Sequence, residues 1–255
     1  MKIAVCVKHA VDETELRIEP SGSPILTGAA SKVSTFDKNA VEEALRLKSS
    51  LGGEVVVFTV GTQDARKSMK EALAMGADRG VHVIADTTSF DSMVVSELLA
   101  RAIQKTGPFD LILGSEGSSD TYCGQVPPML AERLGLPYAG YSRKIEVYGA
   151  VSRVERALEE SVEVVECALP FVVSIVSEIN EPRYPTLIQI MQASKKPVEE
   201  ATPQQLGVLA PQALVRVHSM SAQPVNRKHI MIEGSLEESA AKLLDALAKE
   251  GVIQR

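Results

Sequence analysis

Residues Glu54 to Ile84 read EVVVFTVGTQDARKSMKEALAMGADRGVHVI. Glu54 to Val60 is a nearly continuous apolar run rich in β-branched residues, the pattern of a strand covered on both faces. Gly61-Thr62 turns the chain, and Thr62 is placed to cap a helix that ends at Gly76. Val81 to Ile84 is a second short apolar run. Buried strands alternating with helices imply a parallel sheet flanked by helices.

The alternation continues on both sides. Lys2 to Val7 predicts a first buried strand. Asp37 is expected to cap a helix whose apolar positions are Ala40, Val41, Ala44, Leu45 and Leu51, with Gly52-Gly53 ending it. Between them, Lys8 to Ser34 is polar and holds a short hairpin around Leu16-Arg17-Ile18 and Ile25-Leu26. Downstream, Ser89 or Asp91 opens a helix carrying Val94, Val95, Leu98, Leu99, Ala102 and Ile103 on one face, and Gly107-Pro108 stops it. Asp110 to Leu113 predicts a fourth strand, Gly114 to Tyr122 a loop, and Gln125 to Leu134 a helix with Pro127 and Pro128 in its first turn, where missing N–H groups cost little. From Tyr141 the pattern changes: Ile145 to Val147 and Val151 to Leu158 flank Gly149-Ala150, a hairpin signal, and Val162 to Cys167 follows. This half is expected to be richer in antiparallel pairing.

Leu169 to Pro197 reads LPFVVSIVSEINEPRYPTLIQIMQASKKP. Phe171 to Val176 predicts a buried strand. Pro182 and Pro185 then exclude a helix interior or a central strand. Leu187, Ile188, Ile190 and Met191 fall on a short amphipathic turn that ends at Lys195-Lys196-Pro197. A stiff loop presenting apolar side chains beside positive charge suits a docking surface; the plainer alternative is an ordinary loop with a solvated basic end. Glu199 to Gln223, with Pro203, Pro211 and then Pro224, reads as an extended arm with one short strand at Ala213 to Val217. Leu236 to Leu247 is a closing helix. An arm of this kind is expected to lie on a partner.

Composition narrows the function classes. The chain has 255 residues, net charge −6 and pI about 5.4, which argues against nucleic acid as the main partner. Cys6, Cys123 and Cys167 are far apart, with neither a disulfide framework nor a zinc spacing. His9, His82, His218 and His229 show no metal-ligand spacing, and no serine sits in GxSxG. No stretch approaches a membrane span, and no cleavable signal pattern opens the chain, so a cytoplasmic protein is the expectation. Ligands of open parallel sheets bind outside the carboxyl ends of the strands. The informative end is Gly114 to Pro128, GSEGSSDTYCGQVPP. Its small residues let a backbone approach a ligand, and a helix start can hold a phosphate. Neither GxGxxG nor a P-loop is present.

Several segments together carry a family resemblance: VCVKHAVDETELRIEP, FDKNAVEEALRLK, ALAMGADRGVHV, NEPRYPTL and IMQASKKP, in that order. The chain resembles the β subunit of electron transfer flavoproteins over nearly its whole length. The resemblance implies an adenine-nucleotide-binding, Rossmann-like α/β fold in residues 1–198, with a partner-recognition loop at 180–196, and a C-terminal arm and helix at 199–255 that pack on an α subunit. It implies a nucleotide pocket of Cys6, Ser34, Phe36, Asp37, Val60, Asp120, Thr121, Tyr122, Cys123, Gly124 and Gln125. It implies a docking surface of Arg183, Tyr184, Leu187, Ile188 and Met191 for dehydrogenases such as acyl-CoA dehydrogenases. The α subunit would hold FAD, electrons would pass to a quinone oxidoreductase or another acceptor, and the pocket would hold AMP in a structural role. Two alternatives stay open: a second FAD in the pocket of a bifurcating complex that oxidises NADH, or a stand-alone nucleotide-binding regulatory protein. The loop departs from both family patterns. AMP members resemble DDDxNQTGQ there and bifurcating members DGDTAQVGP, whereas this chain keeps Asp120 and Gly124-Gln125-Val126 around Tyr122-Cys123. Glu13, not an aromatic, follows Asp12.

Overall fold

The structure, a computed structural model, describes residues 1–222 and 229–253. In chain order its elements are β1 (Lys2–Cys6), β2 (His9–Val11), β3 (Arg17–Ile18), β4 (Pro24–Ile25), β5 (Ser31–Val33), α1 (Thr35–Leu51), β6 (Glu54–Gly61), α2 (Arg66–Met75) and β7 (Arg79–Ile84). Then come α3 (Ser92–Thr106), β8 (Leu111–Ser115), α4 (Val126–Leu134), β9 (Tyr138–Tyr148), β10 (Val151–Ala157), β11 (Val162–Ala168), β12 (Phe171–Ile175), α5 (Leu187–Ala193), β13 (Val198–Ala201) and α6 (Leu236–Lys249).

One sheet organises the molecule, in the order β11-β10-β9-β12-β8-β1-β6-β7-β13. From β9 to β13 every neighbouring pair is parallel, and β10 lies antiparallel between β9 and β11. This is the α/β fold with an antiparallel extension that the alternating pattern implies. The apolar strands are continuous in sequence because both faces are covered, and successive side chains go to opposite layers. Ile3, Val5, Val55 and Val57 pack with Ala40, Val41, Ala44 and Leu45 of α1 and Met69 and Leu73 of α2. Ala4, Val56 and Phe58 pack on the other side with Leu98, Leu99 and Ile103 of α3 and Leu130 of α4.

Four local expectations need correction. Asp37 does not cap α1: Ser34 is the cap residue, and Asp37 lies inside the first turn with its carboxylate turned to neighbouring segments. Leu51 is exposed and Leu47 fills the core instead, since Leu51 is the last residue of α1, at its exposed end. Gly114 and Ser115 belong to β8, where pairing with β12 extends the strand past Leu113. Ala213 to Val217 forms no strand. Its apolar residues Leu214, Val215 and Val217 are exposed, and the backbone N–H groups of Leu214 and Val215 donate to Asp91 Oδ2 at 2.8 and 3.0 Å. The strand of this region is β13, which pairs parallel with β7 (Val198↔Gly80 to Ala201↔Val83), so the sheet's edge strand runs across residues 198 and 199. Gln223 and Pro224 lie outside the described residues.

Candidate functional site

The chain leaves β1 toward β6 and β7 on one side of the sheet and later returns to β8 and β12 on the other. That reversal opens a crevice at the carboxyl ends of β1 and β8. Into it come the residues after β1, the start of α1 and the loop from β8 to α4.

Asp37 is the hub. It is buried, its Oδ2 accepts the Lys8 backbone N–H at 2.7 Å, and its Oδ1 meets the Ser115 hydroxyl. Ser115 Oγ also lies 2.8 Å from the Gly117 carbonyl. One hydroxyl proton serves one acceptor. A protonated Asp37 donates to Ser115 and leaves the serine proton for Gly117, so the geometry fits a neutral carboxyl. Burial pushes Asp37 up to about 7, against the opposing pull of its Ser115 and Lys8 hydrogen bonds. Burial, and then the Asp37 charge, raise the neighbouring Cys6 thiol to about 12, so Cys6 packs as a neutral group.

Lys8 stitches the loop to β1. Its Nζ donates to Asp120 Oδ1 at 2.7 Å, Thr121 Oγ1 at 3.2 Å and Ser118 Oγ at 3.3 Å. Burial raises the Asp120 carboxyl, but Lys8 and Ser118 outweigh it and hold the group below the usual carboxylate range. The acid of the loop is therefore neutralised inside the chain. Ser34, fully buried, accepts the Ser119 N–H on its hydroxyl at 3.2 Å, which ties the α1 cap to the loop. Tyr122 sits at φ +46° with its ring edge-on to Phe36, centroids 5.4 Å apart. Gly117 makes room for that ring: a Cβ there would come within 2.7 Å of it. Gly124, at φ +64°, turns the chain into α4, and a Cβ there would approach the Glu116 carbonyl to 3.0 Å.

The structure thus brings Cys6, Ser34, Phe36, Asp37, Asp120, Thr121 and Tyr122 to one crevice. Val60 stands near the end of the adjoining strand β6. Exposed Cys123, Gly124 and Gln125 lead into α4. Lys8, Ser115, Ser118 and Ser119 join them and were not picked out by sequence. The serines lie in the small-residue stretch Gly114 to Pro128, and Lys8 just past a buried strand; these positions were the only hints of their roles. Two features of the crevice could serve a phosphate-bearing ligand. Ser119 Oγ, in the loop itself, is buried with no partner among the described residues, an unmet hydrogen-bonding group. The loop enters a helix start, where amides favour an anion, although Pro127 and Pro128 leave Gly124, Gln125 and Val126 as its donors. Among the described residues no group of three or more His, Cys, Asp or Glu is placed to hold a metal ion, and no helix is long and apolar enough to cross a membrane.

The second candidate surface is α5 and the segment before it. Tyr184, Leu187, Met191 and Ile188 are 93, 81, 71 and 64% exposed. Thr186 and Gln189 form a reciprocal capping box at the helix start. Arg183 is exposed like its neighbours, yet tied to the body: its side chain is 42% exposed and its guanidinium forks onto Glu42 of α1 at 2.6 and 3.0 Å. Lys196 is half-buried and donates to the Leu73 and Ala77 carbonyls at the end of α2, at 2.8 and 2.6 Å.

A family model described as "Electron transfer flavoprotein domain" matches residues 25–206. The chain is 32% identical to an electron transfer flavoprotein subunit beta of Thermoanaerobacterium thermosaccharolyticum, covering 99% of this chain and 100% of that one. It is 33% identical to the subunit of the same name from Bacillus subtilis, with 99 and 100% covered. It is 36% identical to that of Syntrophomonas wolfei, with 96 and 95% covered.

Proposed function

The chain belongs to the electron transfer flavoprotein β-subunit family, and from that premise we propose that it works as half of a heterodimer in which an α subunit holds most of an FAD. The flavin supplies the redox chemistry. This chain contributes a docking surface, a nucleotide pocket and an arm. Arm and closing helix (199–255) lie on the α subunit, the loop at 180–196 receives dehydrogenases such as acyl-CoA dehydrogenases, and electrons leave to a quinone oxidoreductase or a comparable acceptor in the cytoplasm. The observation that carries this reading is α5, which is anchored at both ends and apolar on its exposed side. A stand-alone nucleotide-binding regulator needs no such surface.

The crevice at β1 and β8 holds AMP in this reading. Cys6, Ser34, Phe36, Asp37 and Val60 form its wall, and Asp120 to Gln125 its loop, with amides at Gly124 and Gln125 available to a single phosphate. One feature favours a second FAD instead: Tyr122, more than half exposed beside Phe36, adds aromatic surface suited to an isoalloxazine ring. The test is to denature purified heterodimer, quantify FAD and AMP, and ask whether NADH reduces the flavin. One FAD and one AMP per dimer without NADH reduction supports the carrier. Two FAD with NADH reduction establishes the bifurcating alternative.

A further inference from the structure

Helix α1 carries a polar stripe at Asn39, Glu42, Glu43 and Arg46, the spacing of one helical face. Its opposite face, Ala40, Val41, Ala44 and Leu45, is in the core. A polar stripe opposite a core face ordinarily lies in water. Here Asn39, Glu42 and Glu43 are buried, and what covers them is the segment leading to α5.

The contacts are dense and reciprocal. Asn39 Nδ2 donates to the Ser177 and Asn180 carbonyls at 3.0 and 2.8 Å. Asn180 Nδ2 donates back to the Asn39 carbonyl and to Glu43 Oε2, both at 3.1 Å. Glu42 takes three donors from one residue: Arg183 Nε at 2.6 Å, Nη2 at 3.0 Å and the backbone N–H at 3.2 Å. Arg46 Nε closes the group on Glu42 Oε1 at 3.0 Å. A carboxylate this buried is a costly way to gain stability, since an apolar residue of similar size would serve as well. What the planar fork supplies is direction: it fixes the Arg183 backbone and side chain together. Pro182 and Pro185 restrict the residues on either side. Leu187 begins α5 four positions further on.

We propose that Glu42 is the positioning residue of the docking surface, holding Arg183 so that Leu187, Ile188 and Met191 are presented in one fixed orientation. This rests on the docking role assigned above to α5. The test uses the α/β heterodimer with wild-type, Glu42→Gln and Arg183→Lys chains, each with and without Leu187→Ala. Hydrogen exchange of residues 177–186 reads the contact itself and needs no partner. A reduced acyl-CoA dehydrogenase as electron donor reads the consequence, and dithionite reduction of the flavin reads the complex independently of docking.

Exchange of 177–186 is expected to quicken about tenfold or more in both variants while β1, β6 and β8 keep their protection. KM for the dehydrogenase should rise roughly five- to tenfold with kcat and dithionite reduction little changed. In the Leu187→Ala background the same substitutions should add almost nothing, because residues that act as a unit are not additive. Unchanged exchange overturns the proposal. So does quickened exchange with unchanged KM, or a KM effect that simply adds to that of Leu187→Ala; either would make Glu42 a structural residue alone. A Leu187→Ala heterodimer with wild-type kinetics overturns the docking reading first and the proposal with it. If Glu42→Gln assembles poorly, Arg183→Lys carries the test, since it keeps the charge and removes the fork.

Discussion

Two regions of this chain expose apolar side chains, and they are built in opposite ways. The segment around α5 is fastened before and after the helix, by the Glu42 and Asn39 contacts on one side and by buried Ala193 and the Lys196 contacts to α2 on the other. The C-terminal segment exposes Leu209, Leu214, Val215, Val217 and Met220, and then α6, of which no residue is buried. Among the described residues, its ties to the body include Asp91 to two backbone N–H groups, and the Ala222 N–H to the Gly22 carbonyl at 2.8 Å. A surface ordered in advance loses little entropy each time it binds. That suits an encounter made and broken at every turnover. A segment with few internal contacts takes its order from what it lies on, which suits a permanent subunit. The contrast fits the proposed division, with the transient partner on α5 and the lasting one on the arm.

Deleting residues 210–255 is the hardest blow to this division and has the largest expected effect. Leu206 and Val208 stay in the core, so the sheet keeps its circular dichroism and its cooperative melt. Copurification with the α subunit, and flavin with it, should be lost. A truncated chain that still copurifies stoichiometrically with a yellow α subunit would move the lasting interface elsewhere on the molecule.

The anchored half of the comparison rests on α1, and acid should act on two of its carboxyl groups, Glu42 and Asp37, in opposite senses. Burial pushes the Glu42 carboxyl up, but its hydrogen bonds to Arg183 and Arg46 outweigh this and hold it below the ordinary value. A depressed folded-state pKa contributes stability above the ordinary carboxylate value, and that contribution is lost as pH falls through the folded one. Glu43, beside it, is raised by burial and keeps its Asn180 contact in the neutral form. Asp37, raised to about 7, works the other way. Its neutral form is favoured in the fold, so stability falls as pH rises from about 4 to about 7. Asp37→Asn offers Lys8 an acceptor and Ser115 a donor without the charge. It should flatten that slope and stabilise the chain by about 1–3 kcal/mol near pH ~8, read from urea midpoints across pH. An unaltered slope would place the titrating group elsewhere.

Leu187→Ala comes next in size. The side chain projects from an anchored helix and touches no core, so melting temperature and flavin content should hold. Electron transfer from a dehydrogenase should slow about tenfold, as expected for a side chain worth ~1.5–3 kcal/mol at an interface. A large fall in stability with unchanged transfer would turn α5 into ordinary packing and dissolve the contrast with the arm.

Much of this was legible from residue order alone. The buried strands announce themselves as β-branched runs, and the hairpin at Gly149-Ala150 and the starts of α3 and α5 have ordinary turn and cap residues. The pocket was legible only in part. Small residues at Gly114 to Gln125 mark a loop, yet nothing local says that Lys8, more than a hundred positions away, would neutralise Asp120. Asp37 shows the same limit: the residue type favours a helix cap, and long-range contacts with Lys8 and Ser115 override that preference. Arg183 and Lys196 read as free charge in sequence because periodicity gives a face, not the distant partner each one meets. Ala213 to Val217 has strand-like residues and no neighbouring strand to pair with, so it forms none.

The smallest expected effect is the cleanest separation of the two regions, because both carry the same local device. Thr186 caps α5 by accepting the Gln189 N–H, and Ser235 caps α6 by accepting the Glu238 N–H, each donating its own N–H in return to the side chain of that third helical residue. Removing such a cap costs a helix about 0.5–2 kcal/mol. In α5 that cost falls on a helix of seven residues fixed at both ends, whose first turn carries Leu187 and Ile188. Thr186→Ala should therefore raise KM for a dehydrogenase about two- to fivefold while the α subunit stays bound. In α6 the same loss falls on a helix of fourteen residues with no buried face in this chain. Ser235→Ala should leave dehydrogenase kinetics alone and weaken only subunit association, seen as faster flavin loss on dilution. If each substitution disturbed both measurements equally, the apolar regions would share one partner. If they exchanged effects, α5 would be the subunit interface and the arm the site of transient docking.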